Sequence, residues 1–173
     1  MTILSIDPGT ANIGLAAIRL DGDRIEVLTL KHLQRAANQS VGEIFGVMIA
    51  TLDAWRVDYP PVDLIACEST HFRAGFGRAG LQLSECVGVV RTRAAAIGLE
   101  FTTIEPAAWK KALTGTGTAT YGTIKSMLKA QVGYPGGHVG DLHYRTEHEL
   151  AALGIGIAAG RVRQTAEKVG RGR

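Results

Sequence analysis

Cysteine is nearly absent from this 173-residue chain, which has only Cys67 and Cys86. Both fall in apolar stretches, strand-like around Cys67 and helix-like around Cys86. That placement predicts two buried thiols rather than a disulfide or a thiolate metal site, and an intracellular, reducing setting. No run approaches the roughly 18 unbroken apolar residues that a membrane helix needs. The opening Met1-Thr-Ile-Leu-Ser-Ile-Asp7 lacks the basic start and small-residue cleavage site of a secretion signal, and reads as a strand. Charge of one sign is not in large excess either. A net charge of +3 is compatible with nucleic acid but does not point to it. Basic residues do gather at the end, where Arg161, Arg163, Lys168, Arg171 and Arg173 accompany a single Glu167. They form either a solvated tail or extra phosphate contacts.

What is present suits one globular domain, with 46% apolar and 20% charged residues and neither repeat nor long linker. Residues 3–7 form a short apolar run stopped by Pro8-Gly9, as a buried strand before a tight turn. Residues 13–20 and 24–30 flank Asp21-Gly22-Asp23, a hairpin signal. Together these predict a three-stranded antiparallel meander. Helical spacing through Val41, Ile44, Phe45, Met48, Ile49, Leu52 and Trp55 predicts a helix over 41–57, ended by Pro60-Pro61. Strands at 63–67 and 100–104 enclose a helix over 81–97. Pro106 opens a short helix to 113, and further helices are expected over 123–132 and 146–162.

Two acids stand out by position. Asp7 ends the first apolar strand, and Glu68 ends the fourth, Leu64-Ile-Ala-Cys-Glu68. If those strands are neighbours, the carboxylates meet at one sheet edge and repel unless a cation or proton lies between them. A hard divalent cation such as Mg²⁺ takes carboxylates, water and phosphate oxygens. Two such ions can hold both the attacking and the leaving oxygen of a phosphodiester.

Three segments in order, Ile3-Leu-Ser-Ile-Asp7-Pro-Gly-Thr-Ala-Asn-Ile-Gly14, Ile65-Ala-Cys-Glu68 and His148-Glu-Leu-Ala-Ala-Leu-Gly-Ile-Gly156, resemble the RuvC Holliday-junction resolvases. The resemblance spans residues 2–160. It implies an α/β, ribonuclease-H-like fold: a five-stranded mixed sheet, first three strands antiparallel, with helices on both faces. It also implies a single nuclease domain over 1–162 with a basic tail over 163–173. The expected activity is metal-dependent cutting of four-way or branched DNA by a homodimer, using two Mg²⁺ ions with Mn²⁺ as an alternative. Asp7, Glu68 and His148 match the family's catalytic, metal-binding positions.

The fourth ligand of such a site stands three residues after the third, on the same helical face. Here that position is Ala151. Three accounts compete: an Asp→Ala change, natural or introduced; compensation by Glu147; or an alignment slip that brings Glu149 into use. The resemblance further assigns DNA contacts to His71, Phe72, Arg73 and Arg78, with Phe72, and Phe76 beside it, as wedges at the junction crossover. Lys110 and Lys111, next to Trp109, match a basic segment. The glycine-threonine loop 115–120 has amides and hydroxyls suited to a phosphate. Tyr121 stands where the family has lysine, a charge that Lys125 could replace. A non-catalytic junction-binding protein and an RNA-processing relative of the same fold are the alternative readings.

Overall fold

Thr2–Asp7 (β1) is buried along its whole length, the pattern of a central strand covered on both faces. Around it lie Asn12–Asp21 (β2), Arg24–Gln34 (β3), Leu64–Glu68 (β4), Glu100–Ile104 (β5) and the two-residue Val132–Gly133 (β6). The sheet order is β5-β4-β1-β2-β3-β6. β1, β2 and β3 make the expected antiparallel meander, whereas β4 and β5 run parallel to β1. The sixth strand is an addition to the five expected, too short to carry a sequence signal. The computed structural model describes residues 1–69, 77–133, 142 and 145–171. No helix among them is long and apolar enough to cross a membrane.

A parallel β1–β4 pair needs a crossover, which Val41–Asp58 (α1) supplies. Ser40 and Glu43 cap its start reciprocally, satisfying two amide groups that the first turn leaves open. Gly77–Ala96 (α2) joins α1 on one face of the sheet, covering Leu4, Ile6, Ile65 and Cys67. Pro106–Thr114 (α3), Tyr121–Gln131 (α4) and Glu147–Arg171 (α5) cover Ile3, Ala16, Ile18, Leu64 and Ala66 on the other. Cys67 and Cys86 are free and buried, as expected. Burial pushes the Cys67 thiol well above its ordinary value and that of Cys86 to about 12.

α5 lies close against β1 and β2. Ser5 Oγ donates 2.7 Å to the carbonyl of Ala152 in the helix. Near the helix start, a Cβ on Gly14 would lie 1.9 Å from the His148 carbonyl oxygen. Backbone meets backbone there, so only a glycine fits.

Two expectations change. α5 does not end at residue 162 but continues to Arg171, because its basic end has partners. Arg163 pairs with Glu167 one turn on (3.1 Å) and donates 2.8 Å to the Asp63 carbonyl. Arg161 donates to Gln131 Oε1 at 3.0 Å. The second concerns Leu81, Val87, Val90 and Ala94 of the helix expected over 81–97, an apolar stripe that the sequence leaves open between core and the family's dimer contact. Val87, Val90 and Ala94 are core residues, and of that stripe only Leu81 is exposed. The period of a helix shows that a stripe is apolar, not what covers it.

Candidate active site

Period-two alternation decides where the acids point. Ile3 on β1 and Leu64 and Ala66 on β4 pack toward α5, so Asp7 and Glu68 share that face. The parallel register pairs Ile6 with Cys67. One residue further on, Asp7 stands beside Glu68, both at the C-terminal ends of their strands. The sheet thus places on one edge the two carboxylates singled out in the sequence.

The first turn of α5 adds His148, whose Nδ1–H donates to Asp7 Oδ2 at 2.7 Å. Asp7 is buried, and burial holds its pKa above the ordinary carboxylate range, although the hydrogen bond and charge of His148 and the charge of Lys110 oppose the shift. The bond to Asp7 raises the His148 pKa against a smaller opposing effect of burial. With Nδ1 protonated, the neutral ring keeps Nε2 free to bind a cation or accept a proton. His32, opposite Gly14 in the β2–β3 register, stacks on His148 with ring centroids 5.5 Å apart. Its Nε2 lies 3.0 Å from Asn12 Oδ1. Sequence reading missed His32, and only the hairpin register could have revealed it.

Glu68 is held differently. The indole N–H of Trp109 donates to Glu68 Oε1 at 2.7 Å. Lys110 Nζ lies 5.6 Å from the Trp109 ring centroid and 5.8 Å from that of Tyr121. Burial pushes the Tyr121 pKa up to about 12, with smaller effects from Asp7, Glu147 and Glu68. Tyr121 therefore feels all three acids. Lys111 is exposed and Lys125 half-buried. In the glycine-threonine loop the hydroxyls bond locally: Thr116 and Thr118 to each other (3.1 Å), Thr120 to the first turn of α4.

The three accounts of Ala151 now separate. Its methyl group is buried in the core. Glu149 is also buried, and its carboxylate accepts from Arg145 (3.0 Å) and from the Thr146 amide (2.9 Å) as a helix cap. That structural employment removes it as a candidate ligand. Glu147 is exposed and its charge reaches both His148 and Tyr121. His71, Phe72, Arg73 and Phe76 lie outside the described residues, and of Arg78 only the helical backbone is described.

Among the described residues no three acidic, His or Cys side chains close around one point as a cation cage. The chemistry of the donors nevertheless fits a divalent cation. Two carboxylates on adjacent strands and one imidazole leave room for water and phosphate oxygens, and the buried Asp7 carboxylate is costly to ionise without a cation beside it.

Both shifts favour protonated forms, so the metal-free protein should lose stability as pH rises. The His148 contribution is complete below its ordinary 6.5 and is lost as pH passes through its raised value in the fold. The Asp7 contribution is complete below 3.8 and is lost in the same way, at more acidic pH. Melting temperature in chelator should fall as pH rises past about 6.5, and His148→Ala should flatten that slope. Equal slopes in both proteins would remove His148 as the source.

A meander followed by parallel strands, helices on both faces and acids at the ends of β1 and β4 together define the ribonuclease-H-like class. The family model of the crossover junction endodeoxyribonuclease RuvC matches residues 3–133, and the chain belongs to the RuvC family. The RuvC of Heliobacterium modesticaldum is 30% identical over 129 residues, which cover 75% of this chain and 78% of that protein. The RuvC of Paracoccus denitrificans is 32% identical over 133 residues, covering 75% and 77%. Thermus thermophilus RuvC in complex with Holliday junction substrate superimposes with a TM-score of 0.80 at 20% identity, covering 96% of each chain. The fowlpox virus resolvase with Holliday junction DNA gives 0.57 at 14% identity, covering 92% and 96%. At those identities the two structures bear on the fold alone. The family match ends at Gly133, before His148 and Ala151.

Proposed function

We propose that this chain is a divalent-metal-dependent endonuclease that resolves Holliday junctions by phosphodiester hydrolysis, leaving 5′-phosphate and 3′-hydroxyl ends. The observation that carries it is Asp7 beside Glu68 with His148 bonded across the same edge, in a chain of this family. Asp7, Glu68 and His148 are the residues that would hold Mg²⁺, two ions per site, or Mn²⁺ in its place. Bound there, the cation would activate water and stabilise charge on the phosphoryl oxygens. Asp7 keeps the His148 ring in the tautomer whose single Nε2 lone pair would either bind the cation or take a proton from the attacking water. Lys110, beside the acids, brings positive charge to the phosphate being cut. Phe72 is proposed as a wedge at the crossover, with His71, Arg73, Arg78, Lys111 and Lys125 as further DNA contacts.

Two symmetric nicks need two sites at a fixed separation, so the working form is a homodimer. Leu81 and Val89, large apolar residues exposed on α2, are available to its interface. The nuclease domain covers 1–162. The basic extension beyond it ends roughly 35 Å along α5 from His148, so it would touch a junction arm and not the cut phosphate.

A labelled four-way junction in Mg²⁺ tests the reading: paired symmetric nicks support it. Tight binding without cutting supports the second reading, a structure-specific binding protein, which buried Ala151 favours. Glu147 is proposed as the compensating acid. Glu147→Gln should then slow cutting by roughly tenfold or more. Ala151→Asp should instead raise cutting if the missing carboxylate is limiting. No change in either folded variant would mean that the site needs no fourth acid.

A further inference from the structure

Trp109 is a buried aromatic whose polar atom the proposed chemistry has not used. Its ring is 1% exposed, and its N–H reaches Glu68 across 41 residues of chain. A buried indole N–H requires an acceptor, but any backbone carbonyl would satisfy that need; here the acceptor is a carboxylate of the candidate cation site. The ring also has no freedom to turn away. A Cβ on Gly154 would lie 2.8 and 2.9 Å from two of its carbons, so α5 fits against the indole only because residue 154 is glycine. Pro106 fixes the first turn of α3, three residues before Trp109.

We infer that Trp109 is a positioning residue: its indole N–H holds the Glu68 carboxylate in the orientation that takes the divalent cation. The inference rests on the proposed role of Glu68 as a cation donor. Glutamate has three side-chain torsions, and Glu68 stands half-exposed at a strand end, so an unrestrained carboxylate would spread over several rotamers. A fixed donor on Oε1 selects among them, and a carboxylate can accept at several lone-pair sites besides the one so engaged. In a site where alanine stands at 151, this restraint has greater weight, because fewer donors share the work of fixing the ion.

Trp109→Phe keeps most of the ring and removes the donor. The expected result is a folded protein with unchanged junction affinity and a half-activating Mg²⁺ concentration raised about tenfold, the loss of one hydrogen bond to a charged group. Benzothienylalanine at 109, with sulfur in place of N–H and the same outline, should give the same rise if phenylalanine leaves too large a hole. A second readout needs no cutting. In a Trp55→Phe background Trp109 is the only tryptophan, and Mn²⁺ should quench its emission, with Glu68→Gln abolishing the quench. An unchanged Mg²⁺ requirement in folded Trp109→Phe, or absent quenching while the protein still cuts, overturns the positioning role. Quenching and cutting that both survive Glu68→Gln would instead sink Glu68 as a cation donor. If the unsubstituted chain never cuts, the nuclease reading fails, and the Mn²⁺ quench alone decides for or against Trp109.

Discussion

Asp7→Asn should reduce junction cutting by more than about a hundredfold while leaving junction binding intact. The amide keeps the shape of the carboxylate and still accepts the 2.7 Å hydrogen bond from His148, so the local structure has little reason to change. What disappears is the negative charge. Burial already disfavours that charge, as the raised Asp7 pKa records, and removing it relieves a cost instead of adding one. The metal-free variant should therefore melt no lower than the unsubstituted protein. Divalent cation should raise the melting temperature of the unsubstituted protein but not of the variant. Calorimetry with and without Mg²⁺, beside a binding and a cutting assay, separates the cases. A variant that loses fold and binding together would make Asp7 a structural residue.

Gly14→Ala should be among the most damaging single-methyl changes at the described residues. The added carbon would lie 1.9 Å from the His148 carbonyl oxygen and 2.3 Å from the carbonyl carbon. Neither neighbour is a flexible side chain. On one side, β2 is tied to both β1 and β3; on the other, α5 is tied to β1 by Ser5. Overpacking of this kind costs about 3 kcal/mol or more when the backbone must move, which for a chain of this size lowers the melting temperature by roughly 10 °C. The start of α5 should be pushed off the sheet, and His148 moved with it from Asp7. A variant that melts within about 2 °C of the unsubstituted protein and cuts normally would show that the contact yields easily.

The two acids were legible because strands write their ends into the sequence. Each acid closes a short unbroken apolar run, which marked Asp7 and Glu68 as matching strand ends, and the parallel register then set them side by side. The meander was legible for a similar reason, through its turn residues. Trp109 was visible only as a neighbour of two lysines, because its bond to Glu68 spans 41 residues and no local pattern encodes it. Glu149 is the opposite case. Thr146-Glu-His-Glu149 has the spacing of a capping box, and the pairing with Thr146 and Arg145 shows Glu149 in that role. The end of α5 was placed nine residues short because its apolar period stops near Val162, whereas ion pairs of Arg163 carry the helix further.

The two sealed thiols have a practical side. Cys67 and Cys86 are buried, and their raised pKa values leave almost no thiolate at neutral pH for a maleimide dye to attack. A cysteine introduced at exposed Lys168 would then be the sole reactive thiol on the folded protein. A fluorophore there, at the opposite end of α5 from His148, could report the approach of a junction arm by energy transfer, with both native cysteines left in place.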